Sequence, residues 1–246
     1  MEPQNQQLST VNYQLKVCGL KKLNQIQELI DLNVDFLGFI FYEKSPRYVL
    51  NHLTFKQIKN IKHQGKVGVF VNEDLEKVID IIEKTDIQYI QLHGDEDEDF
   101  ISELKDRLMD TIKIIKVVRI PFVIPTKEES QRFFTSLRSV QNDIDYILFD
   151  TDSQSFGGTG TSFDWTILNE MAIPVPYFLS GGISLKDIEN LQNFVKVNLR
   201  ENKTLTKFKP PFALDINSKF EIEPGNKDVE KVKEFLSLIK NEKSPI

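Results

Sequence analysis

Short apolar runs recur along the chain at Leu15–Cys18, Phe36–Phe41, Val67–Val71, Tyr89–Leu92, Ile112–Val118, Tyr146–Phe149, Tyr177–Leu179 and Phe212–Ile216. Each is short and rich in branched or aromatic residues, which marks a buried strand. Between them lie stretches with helical spacing. Ile26, Leu29 and Ile30 share one face in the first; Leu75, Val78, Ile79 and Ile82 do in the third; Val229, Val232, Phe235, Leu236 and Ile239 do in the last. Eight strands alternating with about eight helices imply right-handed βαβ units and a parallel sheet. The pattern predicts the α/β class and a single (β/α)8 barrel over residues 14–246, with an open doubly wound sheet as the other arrangement. Residues 1–13 are polar and read as a loosely attached, disordered leader. Ile120–Pro125 and Leu199–Pro211 read as surface loops.

The 246 residues suit one such barrel. The net charge of −6 argues against non-specific nucleic-acid binding. A single cysteine excludes an internal disulfide, and three scattered histidines offer no zinc-type ligand set, so no metal is expected. Nothing approaches the apolar length of a membrane span. The leader lacks a signal core, so a cytoplasmic protein is expected.

In a barrel of this kind chemistry belongs at the carboxyl ends of the strands. There the sequence places Cys18-Gly19, Lys44-Ser45-Pro46-Arg47, Gln91-Leu92-His93-Gly94, Asp150, Ser180-Gly181-Gly182 and Asp215. Asp150 is followed by a glycine-rich loop containing Gly157, Gly158 and Gly160, whose backbone N–H groups suit a phosphate. A thiol, a guanidinium, an imidazole and two carboxylates therefore converge on one mouth. Each also has a plainer role open to it. Cys18 serves equally as a small buried apolar residue, and Lys16 as a charge paired inside the barrel. Asp150 could cap a turn at Thr151–Ser153, His93 could support a neighbour, and Asp215 could bind a hydroxyl or position another group.

The stretches KVCGL (16–20), DFLGFIFYEKSPRYV (35–49), VGVFVNE (67–73), IQLHGDE (90–96), LFDTDSQSFGGTGTSFDW (148–165), LSGGIS (179–184) and ALDINSKFEIEPGNKD (213–228) closely resemble the phosphoribosylanthranilate isomerase family, in the family's order over nearly the whole chain. The resemblance implies a (β/α)8 barrel and an aldose–ketose isomerase of tryptophan biosynthesis working without metal or organic cofactor. Its substrate would be the phosphosugar N-(5-phosphoribosyl)anthranilate, rearranged to 1-(2-carboxyphenylamino)-1-deoxyribulose 5-phosphate. By motif position Asp150 is the general acid and Cys18 the general base. Arg47 would meet the anthranilate by stacking or pairing with its carboxylate, His93 would help bind the substrate, and Asp215 would hold sugar hydroxyls. Gly158, Thr159, Gly160, Gly181, Gly182, Asn217 and Ser218 would hold the phosphate. One departure stands out: Lys219 occupies a position where many relatives have glycine, which either disturbs the loop or adds a cation.

The roles set pKa demands. Asp150 should be raised so that it is partly protonated near neutrality, and Cys18 should lie at or below the ordinary thiol value near 8.5. Neither another phosphosugar enzyme, such as indole-glycerol-phosphate synthase, nor a non-catalytic phosphosugar-binding barrel would be expected to carry both Cys18 and Asp150. No nucleic-acid or membrane partner is expected, and the absence of an obvious apolar stripe favours a monomer.

Overall fold

The computed structural model describes residues 13–120, 142–151, 164–170, 173–201 and 210–240. Eight parallel strands close into a barrel in sequence order: β1 (Gln14–Val17), β2 (Phe36–Ile40), β3 (Lys66–Phe70), β4 (Tyr89–Leu92), β5 (Lys113–Ile120), β6 (Tyr146–Thr151), β7 (Tyr177–Leu179) and β8 (Ala213–Ile216). Closure comes from β8 pairing in parallel with β1, with Lys16 opposite Asp215. The open doubly wound arrangement is thereby excluded. No described helix is long and apolar enough to cross a membrane.

The α-helices among the described residues are α1 (Leu23–Asp31), α2 (Phe55–Asn60), α3 (Leu75–Thr85), α4 (Glu98–Arg107), α5 (Ile188–Glu201) and α6 (Val229–Ile239). Their starts are written locally. Thr54 and Gln57 form a reciprocal capping box on α2, while Asp74, Asp97 and Asp228 accept backbone N–H groups at the starts of α3, α4 and α6. Their apolar faces, such as Val78, Ile81 and Ile82 of α3, pack on the outward residues of the strands.

Inside, the barrel is filled rather than hollow. Phe36, Tyr89, Tyr146, Phe178 and Phe212 meet ring to ring towards the amino-terminal ends of the strands, with centroid separations of 4.9–6.2 Å. These edge-on and tilted contacts stabilise the plug beyond simple burial. Polar inward positions are left to the opposite end, where the strands finish in Cys18, His93, Asp150 and Asp215.

Several boundaries differ from the sequence reading. Tyr13, assigned to the leader, is buried and its hydroxyl donates to the Leu191 carbonyl; residues 1–12 lie outside the described set. Ile120 belongs to β5 rather than a loop, and residues 199–201 complete α5 rather than opening an insertion. After β6 the described chain forms a 3-10 helix, Trp165–Glu170, where an α-helix was expected. A small antiparallel hairpin, β9 (Glu221–Glu223) and β10 (Asn226–Lys227), sits between β8 and α6 and had no counterpart in the apolar pattern.

Candidate active site

Alternation along β1 turns Lys16 into the barrel and brings Cys18, just past the strand, to the floor of a cavity at its carboxyl mouth. Cys18 is 4% exposed. The space it fills exists because β2 carries Gly38 opposite: a Cβ there would lie 2.9 Å from both Cα and Sγ of Cys18. Lys16 is fully buried and donates to Asp215 Oδ1 at 2.9 Å. This is the paired charge that the sequence left open for Lys16, and it also engages one oxygen of Asp215. Burial pushes the Cys18 thiol above the ordinary value, with Lys16 the main opposing influence. The expectation of a value at or below that of a free thiol is therefore wrong: desolvation outweighs the lysine.

Asp150 stands near the end of β6, and its Oδ1 accepts the Thr151 N–H at 2.8 Å. Burial, assisted by the charge of Asp215, pushes its carboxyl up to about 6, the direction expected of a general acid. Just past the end of β4, His93 is drawn down to about 3 by burial and by nearby Arg119, Lys16 and Lys116, so the ring is neutral. Its Nδ1 lies 2.9 Å from Gln91 Nε2, and its Nε2 lies 3.7 Å from Asp150 Oδ2. His93 thus borders both the cavity and the acid.

Arg47 reaches the same cavity from the loop after β2, its stem lying over Gly19. Its guanidinium is forked onto Glu221, with Nε 3.0 Å from both carboxylate oxygens and Nη2 2.7 Å from Oε2. On the β7–β8 side, Gly181 and Gly182 adopt φ of 89° and 73°, a left-handed turn that only glycine enters without strain. Gly182, Asn217, Ser218 and Lys219 line the cavity there. Asn217 Oδ1 is taken by Lys227 at 2.8 Å. Gly158, Thr159 and Gly160, and the glycine loop as a whole, lie outside the described residues. Among those residues no cluster of three or more His, Cys, Asp or Glu is arranged to hold a metal ion.

Three neighbours of the site escaped the sequence reading. Arg119, at the end of β5 and in register with Asp150, donates to Asp95 Oδ1 and to the His93 carbonyl. Basic residues at 113, 116 and 119 recur every third position, a spacing that hid which of them faces inward. Glu221 and Lys227 lie in the hairpin after β8, inside a stretch that carried the family resemblance but was read only for Asp215, the phosphate residues and Lys219.

Residues 15–238 match the family model described as N-(5'-phosphoribosyl)anthranilate (PRA) isomerase. The chain belongs to the N-(5'-phosphoribosyl)anthranilate isomerase family. Within that family, the N-(5'-phosphoribosyl)anthranilate isomerase of Parabacteroides distasonis is 37% identical over 228 residues, covering 92% of each chain. The phosphoribosyl anthranilate isomerase crystal structure from Thermotoga maritima superposes with a TM-score of 0.69 at 28% identity, covering 93% of this chain and 99% of that one. A second PRA isomerase structure, in complex with reduced 1-(o-carboxyphenylamino)-1-deoxyribulose 5-phosphate, has a TM-score of 0.67 at 26% identity, covering 93% and 99%. Both the family and the barrel expected from the sequence are confirmed.

Proposed function

We propose that the protein catalyses the Amadori rearrangement of N-(5'-phosphoribosyl)anthranilate in tryptophan biosynthesis, with Asp150 as general acid and Cys18 as general base. The observation that carries this reading is one cavity lined by a partly buried carboxyl raised to about 6 and a buried thiol from a separate strand. Asp150 protonates the furanose ring oxygen, the C1–O bond breaks, and a cationic imine forms. That cation acidifies the C2–H bond and also favours ionisation of the neighbouring thiol, which burial by itself holds neutral and whose proton leaves to solvent. The thiolate of Cys18 removes the C2 proton to give the enolamine, which tautomerises to the ketone.

Asp215, held by Lys16, faces the sugar hydroxyls, and neutral His93 supports the acid side. The turn at Gly181-Gly182, with Asn217 and Ser218, cradles the phosphate from β7 and β8, the usual phosphate side of such barrels; Gly158, Thr159 and Gly160 would close it. Arg47 meets the anthranilate. We read the enzyme as a monomer: its large exposed apolar side chains, Leu23, Met109, Ile222 and Leu238, are scattered over separate elements among the described residues.

The test is complementation of a tryptophan auxotroph lacking the isomerase, followed by assay of Cys18→Ala and Asp150→Asn. Growth is expected with the unaltered chain, and each variant should lose at least about a hundredfold in turnover with its fold retained. Soluble protein that fails to rescue growth overturns the activity; near-normal turnover in either variant overturns the assigned role.

A further inference from the structure

The β9–β10 hairpin takes no part in closing the barrel, yet it buries a glutamate and a lysine beside the site. Glu221 has a 4% exposed side chain and that of Lys227 is fully buried. The Glu221 carboxylate receives Arg47 Nε and Nη2, Lys227 Nζ at 2.7 Å and the Gly225 N–H at 2.9 Å. Lys227 is itself fixed from behind by Asn217 Oδ1. Nothing in this arrangement lets the carboxylate swing towards solvent.

The consequence for Arg47 is geometric. A guanidinium has two edges suited to a carboxylate, and Glu221 occupies the one made by Nε and Nη2. The stem is confined as well, since a Cβ at Gly19 would lie 2.6 Å from Arg47 Cδ. The end made by Nη1 and Nη2 is left to a ligand, in a plane whose orientation is set before any ligand arrives. The charges point the same way. Arg47 and Lys227 against Glu221 leave one positive charge uncompensated in a largely desolvated corner, and a single carboxylate would neutralise it.

We propose that Glu221 is a positioning residue that presents Arg47 to the carboxylate of the anthranilate ring, with Lys227 holding Glu221 in place. This rests on the reading of Arg47 given under Proposed function. The arrangement selects for a carboxylated aromatic amine and does nothing for the phosphate, so the two ends of the substrate should respond differently to its loss.

The experiment compares two inhibitors: reduced 1-(2-carboxyphenylamino)-1-deoxyribulose 5-phosphate and the same compound without the ring carboxylate. Glu221→Gln is expected to weaken the carboxylated inhibitor by about tenfold and the other by less than about twofold, with KM rising more than kcat falls. Glu221→Asp, which keeps the charge on a shorter stem, should fall between and serves if the glutamine variant does not fold. Arg47→Ala is measured beside them. Equal loss for both inhibitors in the Glu221 variants, or no loss while Arg47→Ala weakens the carboxylated one, overturns the positioning role alone. If Arg47→Ala leaves the carboxylated inhibitor unaffected, the reading of Arg47 itself falls, and the proposal with it.

Discussion

His93 Nε2 lies 3.7 Å from Asp150 Oδ2, and one burial drives the two side chains in opposite directions, the imidazole down to about 3 and the carboxyl up to about 6. Desolvation disfavours whichever form is charged, so a base loses its proton and an acid keeps it. The pair is thereby divided in role: at neutral pH the ring carries no charge, while Asp150 retains a usable fraction of protonated acid.

The first expected outcome is a pH profile. Asp150 acts in its protonated form and Cys18 as the thiolate, so kcat/KM should rise about tenfold per unit up to about pH 6 and level off above it, because each further unit then removes as much protonated Asp150 as it adds thiolate while the thiol stays above its ordinary value. Stability should follow the same group. Its folded pKa lies above the ordinary value of 3.8, so its contribution is fully present below that value and lost as pH rises through about 6. Asp150→Asn should therefore be more stable than the parent at pH 8, by up to about 3 kcal/mol, with the gap closing towards pH 4. Urea midpoints at the two pH values check this; a gap independent of pH would remove the burial argument.

A second outcome concerns Gly38. The inward place on β2 is vacant because Cys18 needs it, and a methyl group would approach Cα and Sγ of Cys18 to 2.9 Å. The nearer backbone cannot move without shifting β1 against β2. Gly38→Ala should cost about 1–3 kcal/mol through overpacking and displace the thiol, lowering kcat by at least about tenfold while circular dichroism stays that of the barrel. Unchanged turnover would mean that the thiol's position is not critical.

The barrel was legible because its strands are buried on both faces and so appear as continuous apolar runs, a signal carried by Val67–Val71 as clearly as by Tyr146–Phe149. Cys18, His93, Asp150 and Asp215 were legible because polar residues at the ends of such runs stand out. The clamp on Arg47 was not. Glu221 and Lys227 lie in a hairpin too short for a hydrophobic period, and their partners are 174 and 6 residues away in the chain. The thiol's pKa was misjudged for a related reason: Lys16 is visible two positions from Cys18, whereas the depth of its burial and its engagement by Asp215 exist only once β8 closes on β1.

That closure underlies a third expectation. Lys16 and Asp215 are both buried and meet at 2.9 Å, so removing one leaves the other an unpaired charge in the barrel. Lys16→Met should destabilise by about 3–5 kcal/mol, whereas the double change Lys16→Met, Asp215→Leu should recover much of the loss. Chemical denaturation of the three proteins checks this. Equal midpoints for the single variant and the parent would show that the pair does not support the fold.

The last expectation settles the departure at Lys219. The described non-glycine residues with positive φ are Asn33, Asn72 and Asp86, so the backbone at 219 does not demand glycine, and the 3-10 turn Ser218–Phe220 forms with lysine in place. Loop disruption is thus no longer the natural reading of the substitution. The side chain is exposed and lines the cavity beside Gly182 and Ser218, where a cation would act on a phosphate through solvent rather than by burial. Such an interaction is modest and sensitive to salt. Lys219→Gln, which keeps the length and removes the charge, should raise KM by about threefold at low ionic strength with kcat unchanged, and the difference should shrink in 0.5 M salt, roughly as screening at that strength requires. Lys219→Gly should give the same KM and separate charge from backbone freedom. A KM that stays at the parent value in both variants would rule out a role for this lysine at the phosphate.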